Sequence, residues 1–105
     1  MARLYTITNL LEHVLRENAT ELHLFTGKPP FILIRQEQIA VGPETMTNDN
    51  IADLLYNLAT VDQMRELNAC GDAQFVYLFH NWARFAVSAS VAQSTFSVKI
   101  RNLGR

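Results

Sequence analysis

Apolar positions along the chain change period three times, and the changes divide it into elements. From Thr6 onward, Ile7, Leu10, Leu11, Val14 and Leu15 fall at i, i+3, i+4, i+7 and i+8, which paints one stripe on a helix. Thr6 or Thr8 suits its N-cap and Asn18 its stop, with Glu12/Arg16 and His13/Glu17 as i,i+4 neighbours on the wet side. The period then shortens to two. Leu22 and Leu24 alternate with Glu21, His23 and Phe25, as in a strand with one face on a core. Gly27, Pro29 and Pro30 end that strand, and Phe31 to Ile34 reads as a second. A bend near Gln36 to Gln38 leads to a third short strand through Ile39 and Val41.

Helical spacing returns after Gly42-Pro43. Thr47 precedes Ile51, Leu54, Leu55 and Leu58, and predicts a second helix with Thr47 as N-cap and Asp49 near the positive end of its dipole. Thr60-Val61-Asp62-Gln63 has the form of a capping box and opens a third helix that runs to about Ala69. That helix is expected to bury Val61, Met64 and Leu67 and to be capped by Gly71. The last third alternates again: Phe75, Tyr77, Phe79; then Phe85, Val87, Ala89, Val91; then Phe96, Val98, Ile100. Segments 80–83 and 92–94 are short enough for antiparallel hairpins, although neither carries Asn-Gly or Asp-Gly. The order is αβββααβββ, an α+β chain with a mostly antiparallel sheet and helices on one face.

Composition narrows the function classes. With 105 residues, 49% hydrophobic and 18% charged, the chain has the balance of one globular domain, and no linker, repeat or low-complexity tract divides residues 1–105. A net charge of −1 gives no basic field for nucleic acid. The lone Cys70 makes no intrachain disulfide and fits a reducing, cytoplasmic setting. No apolar run approaches the roughly 20 residues of a spanning helix, and the start of the chain lacks the pattern of a secretory leader, so no direct membrane insertion is expected.

Candidate chemistry is sparse. His23 beside Glu21 puts an imidazole and a carboxylate on one strand face, which suits either a proton-transfer pair or a hydrogen-bonded, half-exposed strand histidine. His13 reads as a solvated partner of Glu17, and His80 sits in a hairpin turn with no evident partner. Cys70 lies at a helix C-terminus, where the dipole disfavours thiolate. No zinc spacing, Gly-x-Ser-x-Gly elbow or phosphate-binding P-loop occurs, so no catalytic constellation, metal site or cofactor is expected. Arg84, Lys99 and Arg101 fall on the polar faces of the last two strands, and a hairpin would set them side by side to receive a phosphate or an acidic surface. An ordinary solvated sheet face would look the same. Tyr5, Phe25, Phe31 and Trp82 read as core or rim packing.

One stretch is more specific. A helix, then Ala-Thr-Glu-Leu-His-Leu-x-x-Gly-x-Pro-Pro (Ala19 to Pro30), a Thr-led helix with Leu-Leu-Tyr-Asn-Leu, Gln63-Met64, Gly71, Phe75, and Ala83-Arg84-Phe85-x-Val87 together resemble a known domain. It is the N-terminal domain of the type IV pilus retraction motors, the PilT-like branch of secretion ATPases. The resemblance covers nearly the whole chain. It implies a PAS-like fold that in the family precedes a RecA-like ATPase domain, with the N-terminal domain packed on a neighbour's ATPase domain in a hexamer and basic residues near nucleotide. Arg84 is the residue that carries over as a nucleotide-proximal or subunit-contact position. The family's second arginine and asparagine are replaced at Ala86 and Ser88, and its acidic residue before Phe75 is Gln74.

These readings converge on a stand-alone or excised motor N-terminal domain without catalysis, a regulatory module of a pilus (twitching motility) or type II secretion machine. Its partner is expected to be a hexameric motor ATPase or another pilus or secretion component at the inner membrane, and self-association is also open to it. Two surfaces are candidates: the sheet face of Arg84, Lys99 and Arg101, or the strand face of Glu21 and His23. A PAS-like sensor holding a small ligand between sheet and helices is the alternative, and a solid core lined by Phe75, Tyr77, Phe85 and Phe96 argues against it. A small hydrolase using Glu21 and His23 is a third.

Overall fold

A computed structural model describes Tyr5 to Gly104. Residues 1–4, part of the start read above as leaderless, and Arg105 lie outside the described residues. The elements are α1 (Ile7–Glu17), β1 (Glu21–Phe25), β2 (Phe31–Ile34), β3 (Glu37–Ala40), α2 (Asn48–Leu58), α3 (Val61–Cys70), β4 (Asp72–Phe79), β5 (Ala83–Ala92) and β6 (Thr95–Gly104). The αβββααβββ order is the expected one.

The helix ends form where the side chains can satisfy exposed backbone groups. The hydroxyl of Thr6 accepts from the N–H of Asn9, and Asn18 closes α1 in the left-handed conformation. Both later helices carry reciprocal capping boxes, Thr47 with Asn50 and Thr60 with Gln63. Gly71, at φ 87°, ends α3 where a Cβ would be strained. Ile7, Leu10, Leu11 and Val14 of α1, and Ile51, Leu54, Leu55 and Leu58 of α2, are buried as their spacing requires.

Val61 is a correction, since it is 74% exposed while Met64 and Leu67 are buried. Steps of three residues drift by about 60° each on a helix of 3.6 residues per turn, so Val61 stands about 120° from Leu67 and off the stripe. Arg16 also differs from expectation, because its guanidinium lies 3.2 Å from Nδ1 of His13, one turn back.

The sheet has six strands in the order β3-β2-β1-β6-β5-β4, and every pairing is antiparallel. The first strand of the chain therefore lies beside the last, with Leu22 opposite Ile100 and Leu24 opposite Val98. Leu22, Leu24, Ile32, Phe85, Val87, Val98 and Ile100 point into one core with the helix stripes and Met46. All three helices belong to that face. The opposite face is uncovered among the described residues.

Tight turns join the strands without the glycines that usually permit them. The β2–β3 loop is Arg35-Gln36, at φ 52° and 70°, and the β5–β6 loop is Gln93-Ser94, at φ 54° and 64°. Positive φ at both central positions is the type I′ form, whose twist matches that of the flanking strands. The bend expected at Gln36 to Gln38 thus falls one residue earlier, and Glu37 already belongs to β3. His80 and Asn81 adopt the same conformation before Trp82, whose N–H donates to the carbonyl of Phe79. Asn48, the first residue of α2, ties the β5–β6 turn down: its amide donates to the carbonyl of Ser94 (2.7 Å) and accepts from the N–H of Phe96 (2.8 Å).

Candidate interaction face

The uncovered face carries the side chains that alternate away from the core. Register sets them in rows across the strands. One row runs Val76, Ala86, Arg101, Glu21, Leu33, and the next runs Gln74, Ser88, Lys99, His23, Phe31. The two surfaces expected to be alternatives are therefore a single surface. Arg101 stands directly opposite Glu21, and Lys99 directly opposite His23.

Arg84 is not in these rows. It lies on the same face two residues beyond Ala86, between Leu78 and Gly104, at the point where the β5–β6 register shifts. The period of β6 sets Lys99 and Arg101 side by side, and the hairpin leaves Arg84 at the rim.

Twist makes this face a shallow trough. One depression of about 510 Å³ is lined by Glu21, Gln74, Val76, Ser88, Lys99 and Arg101, among others. A second, of about 330 Å³, adjoins it through the shared Gln74, Ser88 and Lys99 and extends past Phe25 to Asp72. The space between sheet and helices, where a PAS-like sensor would hold its ligand, is taken by Phe85, the leucines of α1 and α2 and their neighbours. Phe75, Tyr77 and Phe96 pack against that cluster from its margin.

Glu21 and His23 form one closed pair. The Nε2 of His23 lies 2.7 Å from Oε1 of Glu21, and the two side chains are 12% and 24% exposed. The ring stacks on Phe31 at 4.8 Å and meets Phe25 edge-on at 5.5 Å. A neutral imidazole donating from Nε2 holds its lone pair at Nδ1, and that buried atom has no partner. Among the described residues, no hydrogen bond joins Ser88 to His23 or Lys99.

The electrostatic consequence lies in the choice Glu21 makes. Its carboxylate turns along its own strand to His23 rather than across to Arg101. Lys99 and Arg101, both exposed, have no hydrogen bond or ion pair among the described residues. Two cations two residues apart on one strand thus line the trough without a direct ion pair. Sequence reasoning found each of the four side chains but not their convergence, because nothing local signals that β1 pairs with β6. Gln74 and Ser88, which the sequence marks only as departures from the family's pattern, line both depressions. His80, expected to have no partner, approaches Glu12 of α1 at 3.6 Å. No group of three or more metal-ligating side chains occurs among the described residues, and no described helix is long and apolar enough to cross a membrane.

No protein-family model and no curated protein matches the chain. Solved structures do. The pilus retraction motor PilT with bound ADP is similar over 92% of this chain, with a TM-score of 0.84 and 18% identity. The ATPase DotB of Legionella pneumophila is similar over 93%, with a TM-score of 0.75 and 20% identity. DotB of Yersinia pseudotuberculosis is similar over 90%, at 0.73 and 14%. In each case the chain spans 29% of the other chain's length. The fold is the one that the resemblance implied, an N-terminal domain of the PilT-like type, and at these identities the likeness concerns the fold.

Proposed function

We propose that this chain is a non-catalytic docking module of a type IV pilus or secretion motor, and that its open sheet face is the docking surface. Lys99 and Arg101 receive carboxylates from a hexameric ATPase subunit, and the flanking Val76, Leu78 and Phe25 supply apolar contact around them. The observation that carries this reading is a pair of exposed cations in a trough where the cross-strand carboxylate, Glu21, bonds to His23 and to neither cation. Shared fold with PilT and DotB supports the choice of an ATPase as partner. Charges placed this way govern encounter and specificity, and a reversed one sets like charges against each other.

The test is a titration of the full chain against a purified PilT-type hexamer, followed by fluorescence anisotropy. Lys99→Glu with Arg101→Glu should weaken binding tenfold or more while leaving the circular dichroism spectrum unchanged, and raised salt should weaken the unmodified chain. Equal affinity for the two proteins would remove this face from the mechanism.

A further inference from the structure

The outer edge of β4, which borders the docking face at Val76 and Leu78, carries a second surface in its free backbone groups. β4 is the last strand of the sheet and runs for eight residues, whereas the other edge, β3, has four. Long edge strands of soluble proteins are usually blunted by lysine, proline or a bulge, because their free backbone groups template pairing with another chain. β4 has none of these. Its sequence is Asp-Ala-Gln-Phe-Val-Tyr-Leu-Phe, its register with β5 is unbroken, and Val76 and Leu78 are 60% and 53% exposed.

The direction of its backbone groups follows from one hydrogen bond. The N–H of Val91 donates to the carbonyl of Gly71, one pair beyond Asp72 and Ser90. In an antiparallel ladder, bonded and non-bonded pairs alternate. Ala73, Phe75 and Tyr77 therefore bond inward to β5, and Asp72, Gln74, Val76 and Leu78 turn their N–H and C=O groups outward.

We propose that this edge pairs with the same edge of a second copy, antiparallel about a twofold axis at Val76, to make one continuous twelve-stranded sheet. The strand is self-complementary in that register. Val76 meets its own counterpart and Gln74 meets Leu78 on the open face. Phe75 meets Tyr77 on the helix face, twice, in the close non-bonded positions where aromatic pairs contribute most. Both rings are half-buried at the margin of the core, so the second copy completes their cover. Asp72, the strand's one charged side chain, falls opposite His80 of the second copy, which is 53% exposed. The outward-turned residues of each copy face one another, so the new ladder breaks no existing bond.

Proline at position 76 tests the geometry, since the N–H it removes is one that β5 does not use. Sedimentation equilibrium of the full chain should show a monomer–dimer equilibrium, and Val76→Pro and Val76→Lys should each weaken it at least tenfold with unchanged circular dichroism. If the proline variant fails to fold, the lysine variant decides. In a Cys70→Ser background, Val76→Cys should form a disulfide-linked dimer on mild oxidation, because bonded pairs place Cα atoms about 5.5 Å apart, within disulfide reach. Gln38→Cys, on β3, should not. A strictly monomeric chain up to millimolar concentration, or a dimer indifferent to both Val76 variants and not linked through Val76→Cys, would overturn the proposal.

Discussion

Removing the carboxylate of Glu21 should cost more stability than an exposed surface charge is worth, and the reason lies in the histidine it leaves behind. The His23 ring is 12% exposed, its Nε2 is bonded only to Glu21, and its Nδ1 has no partner. In Glu21→Ala, both nitrogens become unpaired in a pocket walled by Phe25 and Phe31. A hydrogen bond to a charged group contributes about 1.5–3 kcal/mol, and stranding a buried polar atom costs about 1–3 kcal/mol. Because Glu21 itself is 24% exposed, solvent screens part of this, and the expected loss is about 2 kcal/mol.

The companion variant is His23→Phe, which keeps a ring between Phe25 and Phe31 and removes both nitrogens. It forfeits one hydrogen bond and relieves one stranded atom, so it should fall within about 0.5 kcal/mol of the unmodified protein. The carboxylate it frees can turn to Arg101 opposite. Glu21→Ala made in the His23→Phe background should then cost less than about 0.5 kcal/mol, a coupling above about 1 kcal/mol. Urea unfolding followed by circular dichroism reads these differences, provided m is unchanged. At about 2.1 cal/mol/K per residue, a loss of 2 kcal/mol lowers Tm by roughly 9 °C. Equal cost of Glu21→Ala in both backgrounds would refute the reasoning, because the pair would then contribute nothing as a pair.

The other predictions concern turns and ties. Ser94→Gly and Gln36→Gly, each at the second positive-φ position of a two-residue turn, should stabilise by about 0.5–1 kcal/mol in the same assay, the relief of left-handed strain exceeding the added freedom of the unfolded chain. Glycine at the exposed, extended position 99 should instead destabilise. Asn48→Ala should cost about 2 kcal/mol by releasing two hydrogen bonds to the β5–β6 hairpin, and Asn48→Asp should recover the one from the N–H of Phe96 alone.

The residues that made the fold legible are those whose job is local. Thr6, Thr47 and Thr60 cap helices through side chains within three residues, and the stripes of α1 and α2 and the alternation of β5 and β6 state their own periods. Val61 misled because it shares spacing with Met64 and Leu67 but sits at the first turn, where three-residue steps have drifted off the stripe. The tight turns were masked by their composition: Arg35-Gln36 and Gln93-Ser94 take left-handed angles because the strands on either side demand it. The candidate face was legible residue by residue and not as a place. Lys99 beside Arg101 is a local fact of one strand, whereas Arg101 opposite Glu21 requires a pairing across 80 residues of chain. The choice of Glu21 for His23 depends on side-chain rotamers and on two phenylalanines that no short-range pattern connects to it.

Hydrogen exchange of the full chain, alone and with a PilT-type hexamer, tests the docking face most directly. Backbone amides of β1, β5 and β6 around Glu21, Ser88 and Lys99 should gain protection on mixing, while those on the solvent sides of α1 and α2 keep their rates. Protection confined to the helices, with the sheet strands unchanged, would contradict the account.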